Sequence, residues 1–301
     1  MLLRFVLYTL LALGVVACNG DGSPQQPDPD FKPKNTFKRF NKEQAPLVLI
    51  DEAHYNFHTL NGRYKPFAQV LRSDGYVVKA NKEVLTKKSL EQADILVLAN
   101  ALHKENSRNW DGPFYNAFTD EEISAVKAWV IQGGALFLVA DHIPFPKAAE
   151  KLAAAFGFEF ANGHVSKFTF SKDNKTLKQH PILNSTERTG QVTKVRSLGG
   201  DAFKVPSNAK NILQLPKDAV AVLPDKPFKV NQQTPRVSIA GWSQGAVLEI
   251  GKGRVAVFAE ASMFTSQVYV PTGKKLGLVS KSAEQNERFL LNVMYWLSRA
   301  I

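Results

Sequence analysis

Runs of apolar residues alternate with segments of helical spacing through the first half of the folded region. Residues 46–51, 94–99 and 135–140 are short, almost continuously apolar runs, which are typical of parallel strands buried on both faces. A shorter run at 76–79 follows Gly75 and predicts another strand. Together these runs indicate a parallel sheet.

Helices are predicted between these strands. Apolar residues recur at helical spacing within 62–74, and a short helix is predicted around Leu90. The segment Thr119-Asp-Glu-Glu122 is a capping box, so a helix should begin there and end at Gly133. A further helix is predicted over 146–156. The alternation of strands and helices predicts a doubly wound α/β sheet with right-handed crossovers.

The second half of the chain has a different pattern. Residues 158–244 fall into short pieces of alternating apolar character, which indicate a β-rich insertion. Residues 245–250 and 254–258 flank two glycines and predict a β-hairpin, and the last helix is predicted over 283–300. The predicted fold class is α/β, with a mostly parallel flavodoxin-like sheet, a β-rich insertion, and a C-terminal hairpin and helix. One domain should cover 46–301.

The N-terminus has the features of an export signal. Residues 2–17 are mostly apolar and precede Cys18, an order that resembles the lipobox of bacterial lipoproteins. That resemblance implies a signal peptide at 1–17 and acylation of Cys18, for example by palmitate, which would anchor the chain to a membrane of the bacterial cell envelope. Asn19 resembles the signal for outer-membrane sorting, facing the periplasm, in a host with two membranes. Residues 18–45 predict a disordered tether by composition.

Composition and charge exclude several classes of protein. Among 301 residues there are 38 Lys and Arg against 27 Asp and Glu, a net charge of +11, but the lysines are scattered, so no nucleic-acid partner is predicted. A single cysteine excludes a disulfide framework, a cysteine zinc site and an iron–sulfur cluster. The glycine-rich phosphate loops of dinucleotide and nucleoside-triphosphate binding are not found in the sequence.

Several motifs resemble one superfamily. They are a Gly-Gly pair before the strand at 135, a His180-Pro-Ile segment, a Gly251-Lys-Gly-Arg-Val hairpin that runs into Phe258-Ala-Glu-Ala-Ser, and a closing helix with Asn286, Phe289, Asn292, Trp296 and Leu297. Over 46–300 they resemble the class I glutamine amidotransferase-like superfamily, in its uncharacterised exported branches. Amidotransferases use a cysteine after a central strand, whereas this strand ends Ala140-Asp141-His142, so the resemblance implies the fold without glutaminase activity.

A serine nucleophile is also disfavoured. Gly241-Trp-Ser-Gln-Gly245 matches the letters of a nucleophile elbow, which needs a buried strand before the serine and a helix after it. Only a weak strand precedes Ser243, and 245–250 predicts a strand rather than a helix. This segment therefore predicts no hydrolase of the serine type.

Polar residues follow several predicted strands at their carboxyl ends, where ligands bind in open α/β sheets. The candidate ligand-binding residues are Asp51, Glu52, His54, Asn56 and His58 after the first strand, Asn100 after the third, Asp141 and His142 after the fourth, and Glu260 after the hairpin. The candidate catalytic residues among them are His54, Asp141, His142 and Glu260.

Two functions fit this cluster. In the first, a small polar or carbohydrate-like ligand binds, with Asp141 and Glu260 accepting hydroxyl hydrogen bonds and His54 or His142 acting as acid or base. In the second, His54, His58, Asp141 and His142 hold a divalent metal such as zinc, which activates water in a hydrolase. A bound divalent ion would distinguish the second function from the first.

Structural roles remain open for the same regions. Asp51 and Asp141 could cap the turns that follow their strands. The aromatic residues Trp110, Tyr115 and Phe118 form either a sugar-stacking rim or ordinary packing. The function expected from the sequence is that of a lipid-anchored envelope protein that binds a small polar or carbohydrate-like ligand. A metal-dependent hydrolase is the alternative.

Overall fold

The computed structural model describes residues 23–184 and 190–301. The predicted signal peptide at 1–17 and its acylation site, Cys18, lie outside the described residues. In the two described ranges, none of the helices is both long enough and apolar enough to span a bilayer.

The described residues form many short strands and fewer helices. The strands are β1 (Gln25–Pro27), β2 (Leu47–Asp51), β3 (Val77–Asn81), β4 (Ile95–Ala99), β5 (Ala135–Val139), β6 (Glu159–Phe160), β7 (His164–Val165), β8 (Phe168–Ser171), β9 (Lys194–Ser197), β10 (Phe203–Lys204), β11 (Lys210–Gln214), β12 (Val220–Val222), β13 (Arg236–Ser238), β14 (Ser243–Ile250), β15 (Gly253–Phe258), β16 (Ser266–Tyr269) and β17 (Lys274–Gly277). The α-helices are α1 (Lys65–Ser73), α2 (Lys87–Leu90), α3 (Asp120–Gln132), α4 (Phe145–Ala155) and α5 (Asn286–Leu297). Short 3-10 helices cover Lys104–Ser107, Pro181–Leu183 and Ser262–Phe264.

A nine-stranded sheet forms the centre of the domain, in the order β3-β2-β4-β5-β15-β14-β10-β6, with β11 also paired to β14. The neighbours β3, β2, β4, β5 and β15 are parallel, and the other strands join antiparallel. The predicted α/β class with a parallel central sheet is confirmed. The antiparallel part is larger than the predicted hairpin, because β6, β10 and β11 of the β-rich insertion extend the same sheet.

Helices cover both faces of the parallel strands, as their apolar runs predict. Successive residues of a strand point to opposite faces. In β2, Val48 and Ile50 belong to the core formed with α1 and α5, whereas Leu49 belongs to the core formed with α3 and α4. Burial on both faces leaves the ends of the strands as the place where polar side chains can converge.

Helix α3 begins and ends where the sequence predicts. The Thr119 hydroxyl accepts a hydrogen bond from the Glu122 backbone N–H, and Glu122 Oε2 accepts one from the Thr119 N–H at 3.0 Å. Gly133 ends the helix with a φ of +130°, which favours glycine. The capping box fixes Glu122 at the start of α3, close to the loop after β2.

The segment before β2 is packed on the domain, so the prediction of a disordered tether is wrong for residues 23–45. Strand β1 pairs antiparallel with the edge strand β16, and Phe31 is buried. Asp28 Oδ1 forms an ion pair with Lys275 Nζ at 2.8 Å. The physical reason is that a sheet edge leaves backbone groups unpaired, and a polar, Pro-containing segment can satisfy them without apolar periodicity.

Candidate functional site

A cavity of about 460 Å³ opens at the carboxyl ends of the parallel strands. Its polar lining comes from segments that follow four different strands. His58 lies in the loop after β2, Asn100 follows β4, Asp141 and His142 follow β5, and Glu260 follows β15. Because parallel neighbours end at the same edge, residues far apart in sequence meet here. Five of the predicted ligand-binding residues therefore line one cavity.

His58 offers a hydrogen-bond donor to this cavity. Asn100 Oδ1 accepts the Asp141 backbone N–H at 2.9 Å, which orients the amide so that Asn100 Nδ2 donates to His58 Nδ1 at 3.2 Å. The ring proton must then be on Nε2, which has no hydrogen-bond partner among the described residues. Burial, with Arg63 and His142 nearby, holds the pKa of His58 well below its usual value, so the ring is neutral.

Glu260 lies at the base of the cavity and is held by backbone donors. Its carboxyl oxygens accept the N–H groups of Leu198 at 3.3 Å, Ser262 at 2.7 Å and Met263 at 2.9 Å. Burial, reinforced by the nearby charge of Asp141, raises the pKa of Glu260 to about 8. A carboxyl group with this pKa exchanges a proton near neutral pH, so it can accept or donate a hydrogen bond to a ligand.

His142 leaves one ring nitrogen open. Its Nδ1 lies 2.7 Å from the Ile143 carbonyl oxygen and donates to it, so Nε2 carries no proton in the neutral ring and can accept one. Asp141 Oδ1 accepts the His142 backbone N–H at 2.8 Å. The imidazole stacks on His164, with centroids 4.9 Å apart, and burial next to His142 lowers the pKa of His164 to about 4.

His54 has a structural role: it lies between two carboxylates and away from the cavity, and no described group of side chains that could hold a metal includes it. Its predicted role as acid or base stays a prediction. Its Nδ1 lies 2.8 Å from Asp51 Oδ2, and its Nε2 lies 2.9 Å from Glu122 Oε1. Both ring nitrogens are occupied, and His54 does not line the cavity. Burial disfavours the charged ring, but hydrogen bonds and charge from the two carboxylates outweigh it and raise the pKa of His54.

Three other predicted ligand-binding residues shape the loop after β2 instead of lining the cavity. Asp51 accepts the Asn81 side-chain amide at 3.3 Å besides His54, and Glu52 accepts the Leu60 backbone N–H at 2.9 Å. Asn56 Oδ1 accepts the His54 backbone N–H at 3.1 Å. Asp51 therefore matches the alternative hypothesis, in which it caps the turn after its strand. Its main partner, however, is the His54 side chain.

The predicted zinc site does not assemble. The described part of the chain contains no group of three or more His, Cys, Asp or Glu side chains placed to hold a metal ion. Of the four predicted ligands, His54 is bound by two carboxylates and His142 Nδ1 by a backbone carbonyl. His58, Asp141 and the open Nε2 of His142 remain at the cavity, but among the described residues they do not form a group placed to hold a metal ion.

Aromatic rings form one wall of the cavity. Phe57, Trp110 and Phe145 pack against each other, with centroid separations of 5.4 Å for Phe57–Trp110 and 5.2 Å for Trp110–Phe145. From the predicted aromatic loop only Trp110 lines the cavity. Phe118 is buried against His54 in the core, and Tyr115 is exposed beside His103.

Two walls of the cavity were not predicted from the sequence. Phe228 and Tyr269 line it from distant segments, and neither lies near a motif that predicts a site. Residues 23–25 also line it, because β1 is paired with β16. Gly200, another lining residue, has a φ of +86°, and a Cβ there would lie 2.0 Å from the Ala259 carbonyl oxygen. The cavity therefore needs glycine at that position.

Ser243 is not positioned as a nucleophile. It lies at the start of β14, fully buried, and its hydroxyl donates to Asn211 Oδ1 at 2.9 Å. A strand follows it where an elbow would need a helix. The chain thus differs from serine hydrolases at this segment, as its pattern predicts.

Comparisons with known proteins show the fold alone. No protein-family model and no curated protein matches the chain. A solved structure described as the mmIFT52 N-terminal domain is 16% identical, with 83% of this chain and 97% of that chain covered and a TM-score of 0.59. Cytoplasmic protein STM1381 from Salmonella typhimurium LT2 is 12% identical, covering 84% and 99%, with a TM-score of 0.50. A ThuA-like protein from Bacteroides uniformis reaches 12% identity, 86% and 94% coverage and a TM-score of 0.45.

Proposed function

We propose that this chain is a lipid-anchored protein of the bacterial cell envelope that binds a small polar, carbohydrate-like ligand. Its domain is proposed to be flavodoxin-like and amidotransferase-like in fold, without glutaminase activity. The ligand binds in the cavity at the carboxyl ends of the parallel strands. The observation that carries the proposal is the pairing, in one cavity, of a polar base with an aromatic wall.

The chemistry of the cavity suits a sugar ring. Sugars carry hydroxyl groups that both donate and accept, and C–H faces that pack on aromatic rings. The His58 Nε2–H can donate, and His142 Nε2 and Asp141 can accept. Trp110 and Tyr269 supply aromatic faces at the same cavity. Small-molecule sites usually have mostly apolar walls and a small number of polar groups.

The missing glutaminase function follows from the residue after β5. Amidotransferases need a thiol at the turn after their central strand, and here that turn carries Asp141 and His142. A carboxylate and an imidazole cannot form the thioester of that mechanism. The same two residues instead line the cavity, where they serve as hydrogen-bonding groups.

Ligand binding can be tested with tryptophan fluorescence. Of the four tryptophans, all within the described residues, Trp110 is the one that lines the cavity. A panel of neutral mono- and disaccharides should include a sugar that changes the emission of the full chain. Replacing Trp110 with Ala should weaken its binding about fivefold, since an aromatic stacking contact contributes about 1 kcal/mol. Calorimetry measures the affinity independently of fluorescence.

A matched control is the Trp129→Phe variant, because Trp129 lies on α3 away from the cavity. This variant should retain both the affinity and the fluorescence response. If no sugar of the panel binds, or if Trp110→Ala binds as tightly as the parent, a carbohydrate-like ligand at this cavity is ruled out.

The lipid anchor rests on the order of residues before Cys18. Cells fed radiolabelled palmitate should incorporate it into the chain, and a Cys18→Ser variant should lose all of the label, because the hydroxyl of serine does not replace the acylated thiol. Fractionation of the cell envelope should show the parent with the outer membrane in a two-membrane host and the variant released from it. Label that persists in Cys18→Ser would contradict the proposed anchor.

A further inference from the structure

A groove of about 460 Å³ lies beside the cavity and carries a different charge. Its lining includes the cationic residues Lys167, Arg196, Lys274, Lys275 and Lys281, and none of the described acidic residues lines it. The cavity and the groove are adjacent, because Gln25, Leu198, Ser262 and Tyr269 line both. A ligand longer than one sugar ring can therefore occupy both.

Part of this positive charge is uncompensated. Lys275 is neutralised by Asp28 at 2.8 Å and Asp30 at 3.0 Å. Lys167, Lys274 and Lys281 are exposed and form no salt bridge with a described residue. Three lysine side chains thus remain available to an anion at the groove.

The adjoining cavity has the opposite character. Asp141 lines it, and a carboxylate or phosphate beside this carboxylate would meet like charge. Hydroxyl groups suit the cavity, whereas an anionic group suits the groove. The two sites share Tyr269 as a wall, so one ligand would place its hydroxylated part against Asp141 and its charged part beyond that ring.

We infer that the ligand of the cavity carries an anionic group of the phosphate class, which the lysines of the groove bind. This inference rests on the proposed function and names the class of its ligand. Phosphate can come from a soluble sugar phosphate or from a lipid headgroup. Both sources are compatible with an anchor at Cys18, because the five residues from there to Ser23 span at most about 18 Å, which would keep the cavity near the bilayer.

Paired probes test the contribution of the phosphate. The full chain is kept in a polyoxyethylene detergent, because a glycosidic detergent would itself offer sugar rings. Calorimetry compares glucose 1-phosphate with glucose, and dihexanoylphosphatidylglycerol with dihexanoylglycerol. In at least one pair the phosphate-bearing member should bind about tenfold or more tightly, and the advantage should shrink at 0.5 M salt. The pair that shows the advantage identifies the source as soluble or lipid.

The groove is tested by the triple variant Lys167→Gln, Lys274→Gln and Lys281→Gln. It should lose about tenfold in affinity for the phosphate-bearing probe, since exposed ion pairs contribute a fraction of a kcal/mol each. Affinity for the neutral member of the pair should not change, because these lysines lie in the groove and not in the cavity.

The matched control is the triple variant Lys82→Gln, Lys87→Gln and Lys88→Gln, which removes the same charge from exposed positions around α2. It should bind every probe like the parent. Two outcomes would overturn the inference that the groove binds phosphate. They are an equal affinity for the two members of both pairs, and an equal loss of affinity in both triple variants. If a neutral sugar of the fluorescence panel binds in either case, the proposed function stands without this inference.

Discussion

Replacing His54 with alanine should lower the free energy of unfolding by about 3–5 kcal/mol, because it leaves two buried carboxylates without their shared partner. Asp51 is fully buried and Glu122 nearly so, and each lies within 2.9 Å of a His54 ring nitrogen. The histidine joins the loop after β2 to the start of α3. Its loss therefore also loosens the loop that carries His58 to the cavity.

Urea denaturation measures this effect, with His103→Ala as the matched control. His103 is half-buried, and its Nδ1 only accepts the Glu105 backbone N–H at the start of a 3-10 helix. Removing that cap should cost about 1 kcal/mol. If His54→Ala and His103→Ala reduce stability equally, the histidine between two carboxylates does not stabilise the fold in the way that its contacts indicate.

The contribution of His54 to stability should also depend on pH. Although burial opposes it, Asp51 and Glu122 raise the pKa of His54 above the ordinary histidine value of 6.5, so its contribution is complete below about pH 6.5 and is lost as pH rises through the folded-state pKa. His164 and His180, whose pKa values burial lowers to about 4, act in the opposite direction and reduce stability as pH falls below 6.5. The difference in free energy of unfolding between the parent and the His54→Ala variant should therefore be largest near pH 6 and should shrink as the pH rises.

The parallel part of the fold is predictable because its signals are local. Strands β4 and β5 are fully buried runs that need no information from elsewhere, and the Thr119–Glu122 capping box lies within four residues. Strand β1 lacks such a signal. Gln25–Pro27 becomes a strand because the edge of β16 is unpaired, and that edge comes from a segment near the other end of the chain.

The candidate site is predictable to the extent that topology determines it. Asn100, Asp141 and Glu260 meet because the strands that precede them are parallel neighbours, which the sequence pattern indicates. The role of His54 was not predictable in the same way. Glu122 Oε2 accepts the Thr119 N–H, which the capping box predicts. Glu122 Oε1 contacts His54 across the space between α3 and the loop after β2, and nothing in the capping box predicts that contact.

The pH dependence of stability should change most when Glu260 is replaced by Gln. In the parent, burial with Asp141 nearby raises the pKa of Glu260 from 4.5 to about 8, so the folded state holds a proton that the unfolded state has released. The contribution of Glu260 to the free energy of unfolding is complete below about pH 4.5 and falls as the pH rises to 8. The loss between pH 5 and pH 9 should be on the order of 4 kcal/mol.

The Glu260→Gln variant should lack this loss, because its amide does not ionise. It should be less stable than the parent at pH 5, since an amide N–H₂ replaces one oxygen that accepts a backbone N–H, and this gap should narrow or reverse by pH 9. Urea denaturation at several pH values measures both slopes. Glu52→Gln makes the same chemical change outside the cavity, where Glu52 accepts one backbone N–H, and should leave the slope close to the parent's. Parallel pH profiles for Glu260→Gln and the parent would show that Glu260 keeps its charge in the folded protein, and the base of the cavity would then present a fixed anion to its ligand.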